Sequence, residues 1–297
     1  MMHVPTLNFN NSALYSFSGL GDSTSPLLTR LTTAMASNME VLPMRAIASN
    51  TTYSHEFVGP SLKCEPATER RLANMTAIWN HTQSVLSGSA GGKLMYLAYT
   101  QFEYGEQKAT ETDVKSFVSR CVTGDAYSAV CLPYSGPAIS ARVGNESITC
   151  SVHDTRFNIT FRAVGNTQTM NDVRFTWLGK SNAGSSWGTP YQATGQALAT
   201  LLNGAIGASI SGPAGQQFDS GTAGLNTRRT RVMSTALIGL VSTGFTGTWG
   251  GPLAELPSAD RSLAANKTLA MMIEELSRNQ TLSLFSSERL WYVVGHC

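Results

Sequence analysis

Charge is what this 297-residue chain has least of: Asp, Glu, Lys and Arg together supply 13% of it, about half the usual share. The formal net charge is only +2. Neutralising a run of phosphates needs a dense Lys/Arg patch, so nucleic acid is excluded as a partner. No Cys-x-x-Cys pair occurs among the five cysteines, which argues against a zinc knuckle or a thioredoxin-like site. The five histidines (His3, His55, His81, His153 and His296) include no two at metal-ligand spacing, so neither a metal nor a cofactor is expected. Long apolar runs are missing too. The best uncharged window, Val232 to Leu253, carries six Ser/Thr, five Gly and one Pro. The uncharged stretch Ser181 to Phe218 is rich in Gly, Ser and Gln. A bilayer span needs about 20 predominantly apolar residues, and neither window qualifies. Residues Met1 to Ser18 also lack the basic start and continuous apolar core of a secretory leader.

What the chain has in their place is hydroxyl and amide. Ser and Thr number 65 of 297. Eight Asn-x-Ser/Thr sequons begin at Asn10, Asn50, Asn74, Asn80, Asn145, Asn158, Asn266 and Asn279, none with Pro in the middle. Sixteen Asn among that many hydroxyl residues yield about 3.5 sequons by chance, and the excess reads as a surface built to carry N-linked glycans. Glycosylation without a leader is a contradiction. Its simplest resolution is that the chain is a piece of a longer protein whose membrane segments lie outside it.

In a secretory setting the cysteines become disulfide candidates. Five cysteines allow fifteen ways of making two bridges. The expected pairs are Cys64 with Cys150 and Cys121 with Cys131, leaving Cys297 free. In a reducing compartment all five would instead be small buried hydrophobes.

Residues 1–60 read as irregular apart from a helix over Pro26 to Ala36. Glu69 to Leu86 reads as a helix with Asn74 and Asn80 facing water, broken by Ser87 to Gly92. Strand-like runs follow at Leu94 to Phe102, Lys115 to Thr123 and Tyr127 to Leu132. The clearest sheet signal is Arg156 to Arg162, where strict alternation puts Phe157, Ile159 and Phe161 on one face and Asn158 on the other. Val173, Phe175 and Trp177 repeat the pattern after a Gly165-Asn166 turn, and Ser147 to His153 is expected to pair alongside. Helical spacing takes over afterwards, at Leu198, Leu201, Leu202 and Ala205. A short buried helix is expected over Arg231 to Val241 and a longer one over Ser262 to Ser277. In the latter, Glu274 and Arg278 stand four apart in the favourable order. The predicted fold is one α+β domain spanning 1–297, an antiparallel sheet or sandwich core (94–178) followed by helices (190–287).

Three stretches carry a family resemblance: Asn50 to Cys64, with a sequon, an aromatic, Gly59-Pro60 and a cysteine; the Cys150-led strand to Phe161; and Ile273 to Ser287. They resemble the extracellular domain of a family of large fungal plasma-membrane proteins with no established biochemical role. The resemblance implies that the chain is a glycosylated domain on the outer side of the plasma membrane, held there by membrane helices beyond its ends. It further implies a role in binding, sensing or wall contact. Members often carry the label formylmethionine deformylase-like. A deformylase needs two His one helical turn apart, with Glu beside the first. Here His55-Glu56-Phe57-Val58-Gly59 puts Gly at the second position, and Pro60 forbids the helix. The residues do not support that label.

The rival reading is an extracellular serine hydrolase. Gly184-Ser185-Ser186-Trp187-Gly188 matches the nucleophile-elbow pattern and makes Ser186 the one catalytic candidate. The elbow requires a parallel strand before it and a helix directly after, whereas the preceding strands read as antiparallel. His153 and His296 are its candidate bases, Asp219 and Asp260 its candidate orienters. Gly88 to Lys93 lacks the hydroxyl that a phosphate loop places after its Lys, since Leu94 stands there. Arg228, Arg229 and Arg231 read as a solvated edge. The expectation is a non-enzymatic binding domain whose ligand is unknown or a cell-wall component.

Overall fold

The computed structural model describes residues 3–7, 25–46, 48–87, 93–100, 108–122, 138–181, 190–209, 224–228, 231–243, 258–287 and 290–295. In chain order come β1 (His3–Leu7), α1 (Pro26–Asn38), β2 (Met44–Arg45), β3 (Thr52–Pro66), α2 (Glu69–Ser87), β4 (Lys93–Thr100) and α3 (Glu111–Phe117). Next are β5 (Ala138–Val143), β6 (Glu146–Val164), β7 (Thr167–Lys180), α4 (Pro190–Leu202), β8 (Gly204–Ser209) and β9 (Gly224–Arg228). The chain closes with α5 (Ile238–Thr243), α6 (Ser258–Ala264), α7 (Leu269–Ser283) and β10 (Trp291–Gly295). The fold is α+β, an antiparallel curled sheet with helices toward the C-terminus.

The sheet runs β2-β7-β6-β5-β4-β8-β9, and β3 lies along the remaining edge of β6. Strand β6, 19 residues long, organises it. Residues 146–151 pair with β5 and 153–164 with β7 on one edge, while β3 runs along the other from 148 to 162. Ser147 to His153 is therefore not a neighbour of the Phe157 strand but its first half. No turn residue separates them, and a register shift at Asp154/Thr155 absorbs the bend instead.

Strand β3 corrects the expectation of an irregular first 60 residues. Tyr53, His55 and Phe57 turn inward while Ser54, Glu56 and Val58 are exposed, the period of two that a half-buried strand requires. Gly59-Pro60 reads as a break, yet Pro is tolerated where a strand edge meets no partner strand. Phe57 stacks on Phe157 with centroids 5.1 Å apart, Tyr53 on Phe161 at 5.1 Å, and Phe285 meets both Phe57 and Phe161 edge-on.

Residues 115–122 are helical rather than extended. Thr110 caps α3 reciprocally with Asp113 in a capping box, and Val114, Phe117, Val118 and Val122 recur at helical spacing against α2 and β4. Tyr127 to Leu132 lies outside the described residues. The expected Ser262–Ser277 helix is two helices. Asn266 takes a left-handed φ of 63° and ends α6, and Thr268 restarts the chain as N-cap of α7, its hydroxyl accepting from Met271 N–H at 3.2 Å. Ala205, expected on a helix, lies in β8, because α4 stops before Gly204 at φ 125°. The short apolar run near Val232 forms a 3₁₀ turn and then α5, with Val232, Leu237, Ile238 and Val241 buried.

Helix α7 serves as a partner for the sheet edge. Along β3 the groups pointing away from β6 are Pro60 C=O, Leu62 N–H and Cys64 N–H. Thr281 Oγ1 donates to the first. Ser277 Oγ accepts from the second at 2.7 Å, and Glu274 Oε1 from the third at 2.8 Å. The spacing 274, 277, 281 is one helical face, so a row of polar side chains replaces a neighbouring strand. The helix N-terminus is held by Glu146, whose carboxylate accepts from Leu269 and Ala270 N–H at 2.9 and 3.1 Å. This suits the positive end of a helix. Gln280 ties α7 to α1 through Thr32 and to α4 through the Thr194 carbonyl.

Candidate functional site: a groove between the sheet and α7

Strand β7 pairs fully with β6, but on its far edge β2 reaches only Thr167 and Gln168. Its inner face is thus left half open. Val173 and Phe175 are 38% and 37% exposed although their cross-strand partners Ile159 and Phe157 are at 0%. Their alternation is as expected; the burial is not. Phe175 packs edge-on against Trp177, whose indole N–H donates to Ser61 Oγ at 3.2 Å.

A groove of about 660 Å³ lies here, between β7, the C-terminal half of α7 and the 40–44 segment. That size falls in the ordinary range for small-ligand sites. The 40–44 segment is tied down on both sides. Asn279 Nδ2 donates to Met39 C=O, Leu42 N–H donates to Ser283 Oγ at 3.0 Å, and Met44 pairs with Gln168. The walls therefore belong to the fold rather than to a loose loop.

Two polar side chains mark the groove. The Arg278 guanidinium lies 4.1 Å over the Phe175 ring, and its Nη1 stands 3.7 Å from Glu274 Oε2. Burial lowers its pKa, with Glu274 and Glu275 pulling the other way, and an arginine so placed stays charged. Gln168 is 2% exposed, and its Oε1 accepts from the Tyr53 hydroxyl at 3.0 Å. Burial raises the pKa of that phenol, the bond to Gln168 lowering it by less. Among the described residues neither Gln168 Nε2 nor Arg278 Nη1 finds a hydrogen-bond acceptor. Buried donors without acceptors are rare and costly, by about 1–3 kcal/mol each.

Of the candidate site residues named from sequence, Asn279 lines the groove and the others that are described fall elsewhere. Cys64 and Cys150 form the expected disulfide between directly opposed positions of β3 and β6. The bond is compatible with an extracellular location. Cys121 is disulfide-bonded as well; Cys131 and Cys297 lie outside the described residues. Among the sequons, Asn50, Asn80, Asn145, Asn158 and Asn266 are exposed. Asn74 is not the water-facing residue expected. It is 6% exposed, and its Oδ1 accepts from Ala109 N–H at 3.2 Å, fastening α2 to the start of α3. Asn279 is half-buried in its bond to Met39. Asn10 lies outside the described residues.

Ser186 and the Gly184–Gly188 stretch also lie outside them, as do His296, Asp219 and the Gly88–Gly92 turn. His55 sits on a strand among aromatic rings, with centroids 5.9 Å from Phe57 and 6.1 Å from Phe285, not on a metal-binding helix. His153 Nδ1 lies 3.1 Å from the Ser151 carbonyl. Among the described residues no group of three or more His, Cys, Asp or Glu could hold a metal ion, and no helix is long and apolar enough to cross a membrane. Gln168 carries no motif in the sequence. The polar residues Ser277, Gln280, Thr281 and Ser283 on the buried face of α7 hint that this helix does more than pack. The chain matches no protein-family model, no curated protein and no solved structure, and its function must be read from this geometry.

Proposed function

We propose that this is the extracellular domain of a cell-surface glycoprotein, of the fungal plasma-membrane type its sequence resembles, and that it binds a ligand rather than catalysing a reaction. The Cys64–Cys150 disulfide carries the reading, since such a bond persists in oxidising compartments and is rare in the cytosol. Five exposed sequons on several elements support it, because each offers an amide where a bulky glycan meets only solvent. The half-open groove supports a binding role. The experiment is expression through a secretory pathway, with intact mass measured before and after enzymatic deglycosylation and electrophoresis with and without reductant. Loss of several glycan masses and a mobility change on reduction are expected. No change in either comparison contradicts the proposal.

A further inference from the structure

Strand β7 presents an edge as well as a face. Beyond Gln168, its backbone hydrogen-bonds only to β6 among the described residues. Residues 171–176 are all exposed, on both faces of the sheet. The edge of β3 is treated differently, since α7 covers it with polar side chains. Folded chains blunt an open edge with Pro, Lys or inward-pointing charge. The run Val173-Arg174-Phe175-Thr176-Trp177 has none of these, and all but Arg174 are strong strand formers. Register shifts against β6 at Asn171-Asp172 and at Leu178 bound the run, so its regular edge is short. None of the eight sequons lies within 167–180. Asn158, opposite Arg174 on β6, is exposed on the outer face, so a glycan there rises from the sheet and leaves the edge open.

An open edge accepts a strand, and the side chains of this run select which one. We infer that β7 pairs antiparallel with β7 of a second copy of this chain, about a two-fold axis at Phe175. On the inner face Phe175 then meets its counterpart, and Val173 stands opposite the partner's Trp177. On the outer face Arg174 stands opposite the partner's Thr176. Aromatic–aromatic and aromatic–β-branched pairs are favourable cross-strand neighbours. The neighbouring registers are worse. An axis at Arg174 sets two guanidinium groups opposite each other, and like charges so placed are destabilising. An axis at Thr176 carries the pairing across the bulge at Leu178, and one at Val173 across that at Asn171-Asp172. An unrelated strand would satisfy the backbone groups equally, but a second copy also matches the side chains and hides its own edge. Both copies use the same edge, so the assembly closes at two. The inference goes beyond the binding role proposed above and does not require it.

Sedimentation equilibrium of the full chain tests the pairing, taken up to about 100 μM because so short a contact sits at the weak end of specific interfaces. A mass twice that of the chain is expected at the upper end, falling to that of one chain on dilution. Thr176→Arg sets a second guanidinium opposite Arg174 and should weaken association about tenfold, because the contact occurs twice about the axis. Thr176→Glu meets Arg174 with a carboxylate and should dimerise at least as tightly as wild type. Thr176 is exposed, so both variants should keep the wild-type melting temperature. A chain that stays monomeric throughout overturns the inference and leaves the edge to a strand of another protein. Open-ended assembly, a Thr176→Arg protein that dimerises like wild type, or equal weakening by Arg and Glu overturns it as well. A glycosylated monomer removes only the pairing, and a dimer that never acquires glycans removes only the extracellular placement.

Discussion

The amide of Leu62 donates to the hydroxyl of Ser277 at 2.7 Å, joining β3 to α7 across 215 residues of sequence. The bond lies between two others that link the same pair of elements, from Thr281 to Pro60 and from Cys64 to Glu274. Strand β3 would otherwise offer a free edge at the point where its disulfide partner β6 is already paired on both sides. Placing α7 there also positions Arg278 and Asn279 along the groove. Stability and site share one helix.

Removing that hydroxyl should therefore be costly. Ser277→Ala leaves the buried Leu62 N–H without an acceptor, and a loss of about 1–3 kcal/mol is expected from urea or thermal unfolding. Exposed Met271, on the opposite side of the same helix, should tolerate Ala within about 0.5 kcal/mol. Equal losses at both positions would show that α7 contributes by packing alone.

The disulfide closes a sequence separation of 86 residues. Replacing both Cys64 and Cys150 by Ser should lower stability by about 2–4 kcal/mol, chiefly by freeing the unfolded chain. Cys150 is fully buried, so Cys150→Ala in a Cys64→Ala background separates the bond from the cost of burying a hydroxyl. Unfolding without reductant should place the double Ala variant below the wild type by that amount, since the disulfide at Cys121 is intact in both.

Alkaline pH should unfold the protein with a defined sign. Burial raises the phenols of Tyr96 and Tyr99 above the ordinary value of 10, and that of Tyr191 to about 12, where Asp154 adds to the effect. A raised folded pKa means that the native state keeps protons the unfolded chain releases. Their contribution is whole below pH 10 and falls away as pH rises from 10 toward the folded values. Phenolate absorbance should hence rise late and in step with loss of circular dichroism. A smooth titration centred on 10 with the fold intact would contradict the burial of these three side chains.

Close approach sets a further constraint. A Cβ built on Gly239 would stand 2.3 Å from the Asp260 carbonyl oxygen, where backbone cannot move aside cheaply. Gly239→Ala should cost about 1–3 kcal/mol through displacement of α5 from α6, measured as a lowered denaturation midpoint. An unchanged midpoint would mean that the two helices are not packed as described.

Much of the fold is legible in the sequence where one local pattern dominates. Phe157, Ile159 and Phe161 alternate without interruption, and Pro26 opens α1 after the Ser25 cap. Legibility fails where local and long-range demands compete. Gly59-Pro60 looks like a break because Pro lacks an N–H, and only the helix lying along that edge explains why none is needed. Lys115 to Val122 carries both a helical and an alternating pattern, and the Thr110–Asp113 capping box five residues upstream decides it. The Ser262–Ser277 pattern hides a break because Asn266 and Thr268 look like a sequon before they look like a cap pair. The site was the least readable part. Glu40, Gln168, Phe175 and Arg278 come from three distant segments, and none belongs to a motif with fixed spacing. What brings them together is the uncovered inner face of β7, a property of the sheet edge and not of any window of residues.

Peptide mapping of the secreted protein, after enzymatic release of glycans in ¹⁸O water, tests the extracellular assignment most directly, because each formerly glycosylated Asn becomes a labelled Asp. Label is predicted at Asn50, Asn80, Asn145, Asn158 and Asn266, whose side chains are exposed. Asn74 and Asn279, whose amides are engaged in hydrogen bonds to Ala109 and Met39, are predicted to stay unlabelled. Label at none of the five exposed sites, in a protein that has passed through the secretory pathway, would contradict the account.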